Sequence, residues 1–209
     1  FIANSSLLLS AASLQKLTKG QVEFVHQEIP LFEEAEIDYS GLLWHPKFNL
    51  DEVEEDYNYW VFSVDIAEGT GGDYSVINIF QIKMLDEKDW KGVTTPGSFV
   101  DFFGIKQIGR FRSNSHTIEE FAKALYILGF DLFYSENVKL IIEWNMFGGE
   151  LIKRLETVFP QRNQFDEESV VKFKHRVDAK TKRFGLKVKK DNKPIFCQNF
   201  KKYIAQNKI

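Results

Sequence analysis

The chain has 209 residues, 44% hydrophobic and 15% aromatic, which suits one sizeable folded domain and excludes a disordered chain. No apolar run approaches the ~20 residues of a membrane span, and no basic stretch leads LLLSAASL as in a secretory signal. The lone Cys197 rules out an internal disulfide and a multi-cysteine zinc site, and fits a reducing compartment. Net charge is only −3, but it is uneven. From Val171 to Ile209 there are 13 Lys and Arg against two acids, whereas the rest carries 14 against 28. A basic tail on an acidic body suits contact with a polyanion.

The chain opens on Phe1 rather than Met and is expected to be a piece of a longer protein. Residues 1–20 read as an extended segment with a short helix. Residues 31–58, acidic and turn-rich, read as a linker lying over the surface, so that 1–58 precede a domain of 59–209. WVFSVDI is nearly continuous in apolar character, as in a strand covered on both faces. EGTGGD is a turn whose glycines accept positive φ, and YSVINIFQIKML is its antiparallel partner. SFVDFFGIKQIGRFRS follows as a third strand and completes a meander. HTIEEFAKALYILGF is a helix with a capping box, Thr117 with Glu120, and a stop at Gly129. VKLIIEWN is a short buried strand and MFGGELIKRLETVF a second helix. FDEESVVKFKH is a candidate strand, RVDAKTKRFGLKVKKDNK a basic loop and PIFCQNFKKYIAQNKI a helix opening on proline. The order predicts an α/β fold with a mixed sheet, an antiparallel three-strand meander first and parallel strands after it, flanked by helices.

Two carboxylates occupy the same local setting. Asp65 follows WVFSV and Glu143 follows VKLII, each at the C-terminal end of an apolar strand. If the strands are neighbours, the like charges repel and a divalent cation resolves the conflict. Mg²⁺ and Mn²⁺ prefer carboxylate oxygens, and a pair of ions roughly 3.5–4 Å apart suits phosphodiester cleavage. Asp73 and Glu68, at either end of the turn, are candidate further ligands. An Asp before a glycine-rich turn also serves as a simple turn cap; a Glu closing VKLII has no turn-making role, and buried Glu is rare without a partner. There is no GxxxxGK[ST], no GxSxG and no HExxH, and the four histidines are scattered.

DIAEGTGGDYSVINIF followed by IIEWNMFGGELIKRL resembles the C-terminal nuclease domain of the large terminase subunit of tailed double-stranded DNA phages. That resemblance implies a ribonuclease-H-like fold and an endonuclease that cuts concatemeric viral DNA during genome packaging. It implies Asp65 and Glu143 as catalytic metal ligands, Glu68 and Asp73 as further acids, and Asn145, Gly148 and Gly149 as companions of Glu143. KTKRF, from Lys180 to Phe184, matches a basic family segment. Lys180, Lys182, Arg183, Lys187 and Lys189 are thereby candidate contacts to duplex DNA. FIANSSLLLSAASL is similar to the segment joining the ATPase domain to the nuclease domain. Partners implied are double-stranded DNA, the ATPase domain, the portal and the small terminase subunit, in the host cytoplasm and away from membranes. Two departures stand out. The ATPase domain with its P-loop is missing, and the family's third catalytic acid lies beyond a helix like 194–207, past Ile209. Another ribonuclease-H-like nuclease, a resolvase or exonuclease, and a non-catalytic DNA-clamping module are the alternatives.

Overall fold

The computed structural model describes residues 21–28, 37–54, 59–69, 71–84, 103–133, 138–143 and 146–158, with Gln15, Pro194 and Gln198. Five strands form one mixed sheet: β1 Leu42–Trp44, β2 Tyr59–Asp65, β3 Ser75–Met84, β4 Phe103–Ser113 and β5 Val138–Ile142. Their order across the sheet is β1-β4-β3-β2-β5. β2, β3 and β4 are the expected antiparallel meander, and β5 lies parallel to β2. The protein is therefore α/β with a mixed sheet.

The strands are amphipathic. In β2, Trp60, Phe62 and Val64 are buried, while Val61 and Ser63 between them are half-buried and Asp65 is exposed. This corrects the expectation of a strand covered on both faces: the period-2 pattern is present, but valine and serine on the second face disguise it. In β3, buried Ile77, Ile79 and Gln81 alternate with half-buried Val76, Asn78, Phe80 and Ile82. Between Ile79 and Phe80 the β3–β4 register slips, because Ile79 faces Gly109 while Phe80 faces Gln107. Ile108 is the extra residue of a β-bulge. Its carbonyl accepts a 2.8 Å hydrogen bond from the His45 amide.

The buried face carries the core. Helix α1, Ile118–Tyr126, starts at the Thr117 cap, where both halves of the Thr117–Glu120 capping box form. Gly129 does not stop it. The chain continues through a π-helical turn, Ile127–Leu132, with Gly129 buried inside it, because Leu128 and Phe133 still have core to fill. Phe121 stacks on Phe111 of β4, and Phe133 meets the rings of Trp44, Trp60 and Phe62. Helix α2, Met146–Val158, adds buried Leu151, Ile152 and Leu155.

Residues 37–54 differ from the surface linker expected of them. Ile37, Leu42, Trp44, Phe48 and Val53 are buried in the same core. Leu50–Glu54 is a 3-10 helix, and β1 pairs with β4 antiparallel. The Trp44 indole lies over Gly109, where an added Cβ would come within 2.8 Å of the ring. The acids around these apolar residues, such as exposed Asp51, set the mean polarity and hide the buried positions. The candidate strand in FDEESVVKFKH, the basic loop and Trp144 lie outside the described residues; of the last predicted helix only Pro194 and Gln198 are described, both helical.

Candidate acidic site

The site is built by sheet register. Val64 of β2 pairs with Ile142 of β5, and both are buried. The next residue on each strand therefore turns to the opposite, solvent-facing side. Those residues are Asp65, exposed, and Glu143, half-buried. The Glu143 amide donates a 3.0 Å hydrogen bond to the Val64 carbonyl, so the two strands stay zipped to this level. Neighbouring strands lie ~4.8 Å apart, and the two acids start from adjacent backbone positions at one end of the sheet.

Asp73 joins them from across the hairpin loop. Asp65 pairs with Val76, three residues after Asp73. Although Asp65 is exposed as a residue, its carboxyl is partly withdrawn from water. That burial raises it above the usual aspartate range, and the charge of Asp73 raises it further. Negative charge is thus in excess around Asp65. Asp73, not Glu68, is the hairpin carboxylate that Asp65 feels. Glu68 is exposed in the loop.

The loop itself is held from both sides. The Ala67 amide donates to buried Ser75 Oγ at 3.0 Å. The Gly71 amide donates to the Asn114 carbonyl at 2.8 Å, and Asn114 Nδ2 returns a 3.4 Å bond to the Gly71 carbonyl. Gly69 has φ +76°, and a Cβ there would fall 2.1 Å from the His116 carbonyl oxygen. Sequence reasoning finds the glycines as turn-formers. It misses that Gly69 is where the loop presses onto the turn between β4 and α1. That turn is a knot of its own: Ser113 Oγ accepts from the amides of Ser115 and His116, at 3.2 and 3.1 Å, and meets His116 Nδ1.

The donors present are hard carboxylate oxygens, the kind Mg²⁺ and Mn²⁺ take. A cation bound there would relieve the like-charge crowding at Asp65. Among the described residues, no three His, Cys, Asp or Glu side chains gather into a metal-binding group. The chain thus offers two strand-end carboxylates, with Asp73 near Asp65. Mg²⁺ is commonly held by one or two carboxylates while keeping several waters.

On the face shared with Asp65, β4 presents Arg110 and Arg112, passed over by the sequence reading. The alternation in GRFRS, with Phe111 buried between them, is the signal that places both on one side. Gly148 and Gly149 lie in the first turns of α2, just beyond Glu143. Asn145, Lys180, Lys182, Arg183, Lys187 and Lys189 lie outside the described residues.

No family model matches the chain, and no curated protein matches it. No helix among the described residues is long and apolar enough to cross a membrane.

Proposed function

We propose that this chain is a metal-dependent endonuclease domain acting on double-stranded DNA. Its finer fold reading is ribonuclease-H-like, and its type is that of the large terminase subunit, which cuts concatemeric viral DNA for packaging. The observation that carries the proposal is the parallel β2–β5 register. It sets Asp65 and Glu143 at one sheet end with their backbones side by side. A meander followed by a parallel strand beside its first strand supports the fold reading.

Asp65 and Glu143 would hold Mg²⁺ or Mn²⁺, with Asp73 adding negative charge and Glu68 reachable from the loop. A bound ion there supplies a more acidic attacking water and neutralises charge on the phosphodiester. The chain's own contribution is to fix the acids through strand register and a docked loop. The basic residues of the tail, Lys180, Lys182, Arg183, Lys187 and Lys189, would neutralise phosphates without reading sequence. ATP hydrolysis would belong to a separate ATPase domain, and the portal and small terminase subunit would be partners of the whole motor in the host cytoplasm.

The test is plasmid cleavage in Mn²⁺. Asp65→Asn and Glu143→Gln are each expected to lower the rate by about 100-fold or more, with circular dichroism and melting temperature preserved. Undiminished cutting by either variant defeats the assignment of that acid. One observation favours a second reading, a DNA-clamping module: among the described residues no three His, Cys, Asp or Glu side chains form a metal-binding group. Duplex binding without Mn²⁺ uptake, measured by calorimetry, would establish it.

A further inference from the structure

We infer that Arg112, supported by Tyr74 and flanked by Arg110, is an anchor for a nucleic-acid backbone phosphate beside the acidic site. The inference rests on the nuclease reading for its ligand but not for its geometry.

The sheet places these residues in one row. Asp65 pairs with Val76, and Val76 pairs with Arg112. The row therefore runs Glu143, Asp65, Val76, Arg112 across four neighbouring strands on the solvent-facing side. In the next row Ser63 pairs with Asn78, which pairs with Arg110. Two inter-strand spacings separate Asp65 from Arg112, roughly 10 Å, about three base pairs of ~3.4 Å rise along a duplex axis. A strand whose reacting phosphate lies at the acids would pass a flanking phosphate over Arg112.

Arg112 is exposed, and its guanidinium carbon lies 3.5 Å from the centre of the Tyr74 ring. Tyr74 is itself 42% exposed and follows Asp73 directly. The ring face holds the guanidinium by a cation–π contact, and a guanidinium so positioned can grip a phosphate through two parallel hydrogen bonds. Among the described residues Arg112 makes no ion pair, although Asp65 and Asp73 are close along the sheet and loop. Beside it, Arg110 Nε is buried without a hydrogen-bond partner, and Asn78 is already engaged by Gln107 Nε2 at 2.9 Å. A guanidinium that makes no ion pair with Asp65 or Asp73 among the described residues is suited to an incoming anion. The opposite signs sort the polymer: phosphate at the arginines, the metal-dependent centre at the acids.

The experiment measures binding of the whole chain to a fluorescent duplex by anisotropy, in EDTA, over a range of salt. Arg112→Gln is expected to weaken binding several-fold at moderate salt and to reduce the slope of log K against log salt by about 0.9. Arg112→Lys keeps the charge and is expected to keep the slope, while losing affinity because it lacks the forked geometry. An unchanged slope for Arg112→Gln, or no duplex binding by the parent chain, overturns the inference. The two readings separate cleanly. An Arg112-dependent slope with no Mn²⁺-dependent cutting leaves the anchor standing without the nuclease. Cutting that needs Asp65, with an Arg112-independent slope, does the reverse.

Discussion

A methyl group at Gly69 would meet the His116 carbonyl oxygen at 2.1 Å, on a backbone already at φ +76°. Gly71 has φ +88° and nothing within 4 Å of an added Cβ. The two glycines are equivalent in sequence and unequal in the fold. Gly71→Ala is expected to cost about 1 kcal/mol from backbone strain alone, and Gly69→Ala roughly 3 kcal/mol or more, because strain and collision add. Urea denaturation of both variants checks the ranking; equal losses would mean that the loop does not rest on the β4–α1 turn. Residue-level chemistry was partly legible. Asp65 and Glu143 announce themselves by ending apolar strands. Arg112 does not, because its meaning comes from a row across the sheet and from Tyr74, which is 38 positions away in the chain.

At the scale of elements, the helix start was read from the sequence because its signal is local. The Thr117 amide and hydroxyl both donate to Glu120 Oε2 at 2.8 Å, and the Glu120 amide donates to Thr117 Oγ1 at 3.2 Å. Thr117→Ala is expected to lower stability by about 1 kcal/mol. The backbone and side-chain bonds from Thr117 hold the Glu120 carboxyl below the usual glutamate range. A folded value below the unfolded one stabilises the protein above the ordinary glutamate pKa of ~4.3, and that contribution is lost as pH falls through the folded value. The stability of the parent chain should therefore decline on acidification through this range, and Thr117→Ala should flatten part of that decline in melts taken across it. The helix end was not legible. Gly129 is a common stop signal, but Leu128 and Phe133 bury fully, and this tertiary demand carries the chain on through a π turn. The apparent two-sided burial of β2 fails for a related reason: Val61 is apolar enough to mimic a core residue and yet lies on the half-buried side.

At the scale of the whole molecule, the strands of the meander, β5 and both helices follow from hydrophobic period, whereas the leading part of the domain does not. β1 has only three residues, too few for a periodic signal, and its tryptophan stands between turn-prone residues, Ser40 and Gly41 before it and Pro46 after it. Yet Trp44 is fully buried against Phe48 and Phe133. A chain begun at Tyr59 is expected to lose its cooperative thermal transition and near-ultraviolet circular dichroism, and Trp44→Ala in the full chain to cost about 3–5 kcal/mol. A sharp melt from the shortened chain would show that residues 37–54 are dispensable. The extra residue at Ile108 has its own consequence, because a strand counts in twos and this one holds an odd step. Downstream of it, Arg110 and Arg112 keep the parity that points them to solvent, while Ser113 keeps the parity that tucks its hydroxyl under His116. Deleting Ile108 would restore a regular ladder with Gly109 still opposite Ile79 and Gln107 still opposite Phe80, so Arg110 and Arg112 would keep their face while the local twist and the bond from His45 to the Ile108 carbonyl were lost. A one-residue change elsewhere in β4, with no bulge to absorb it, would instead turn the residues beyond it to the opposite face.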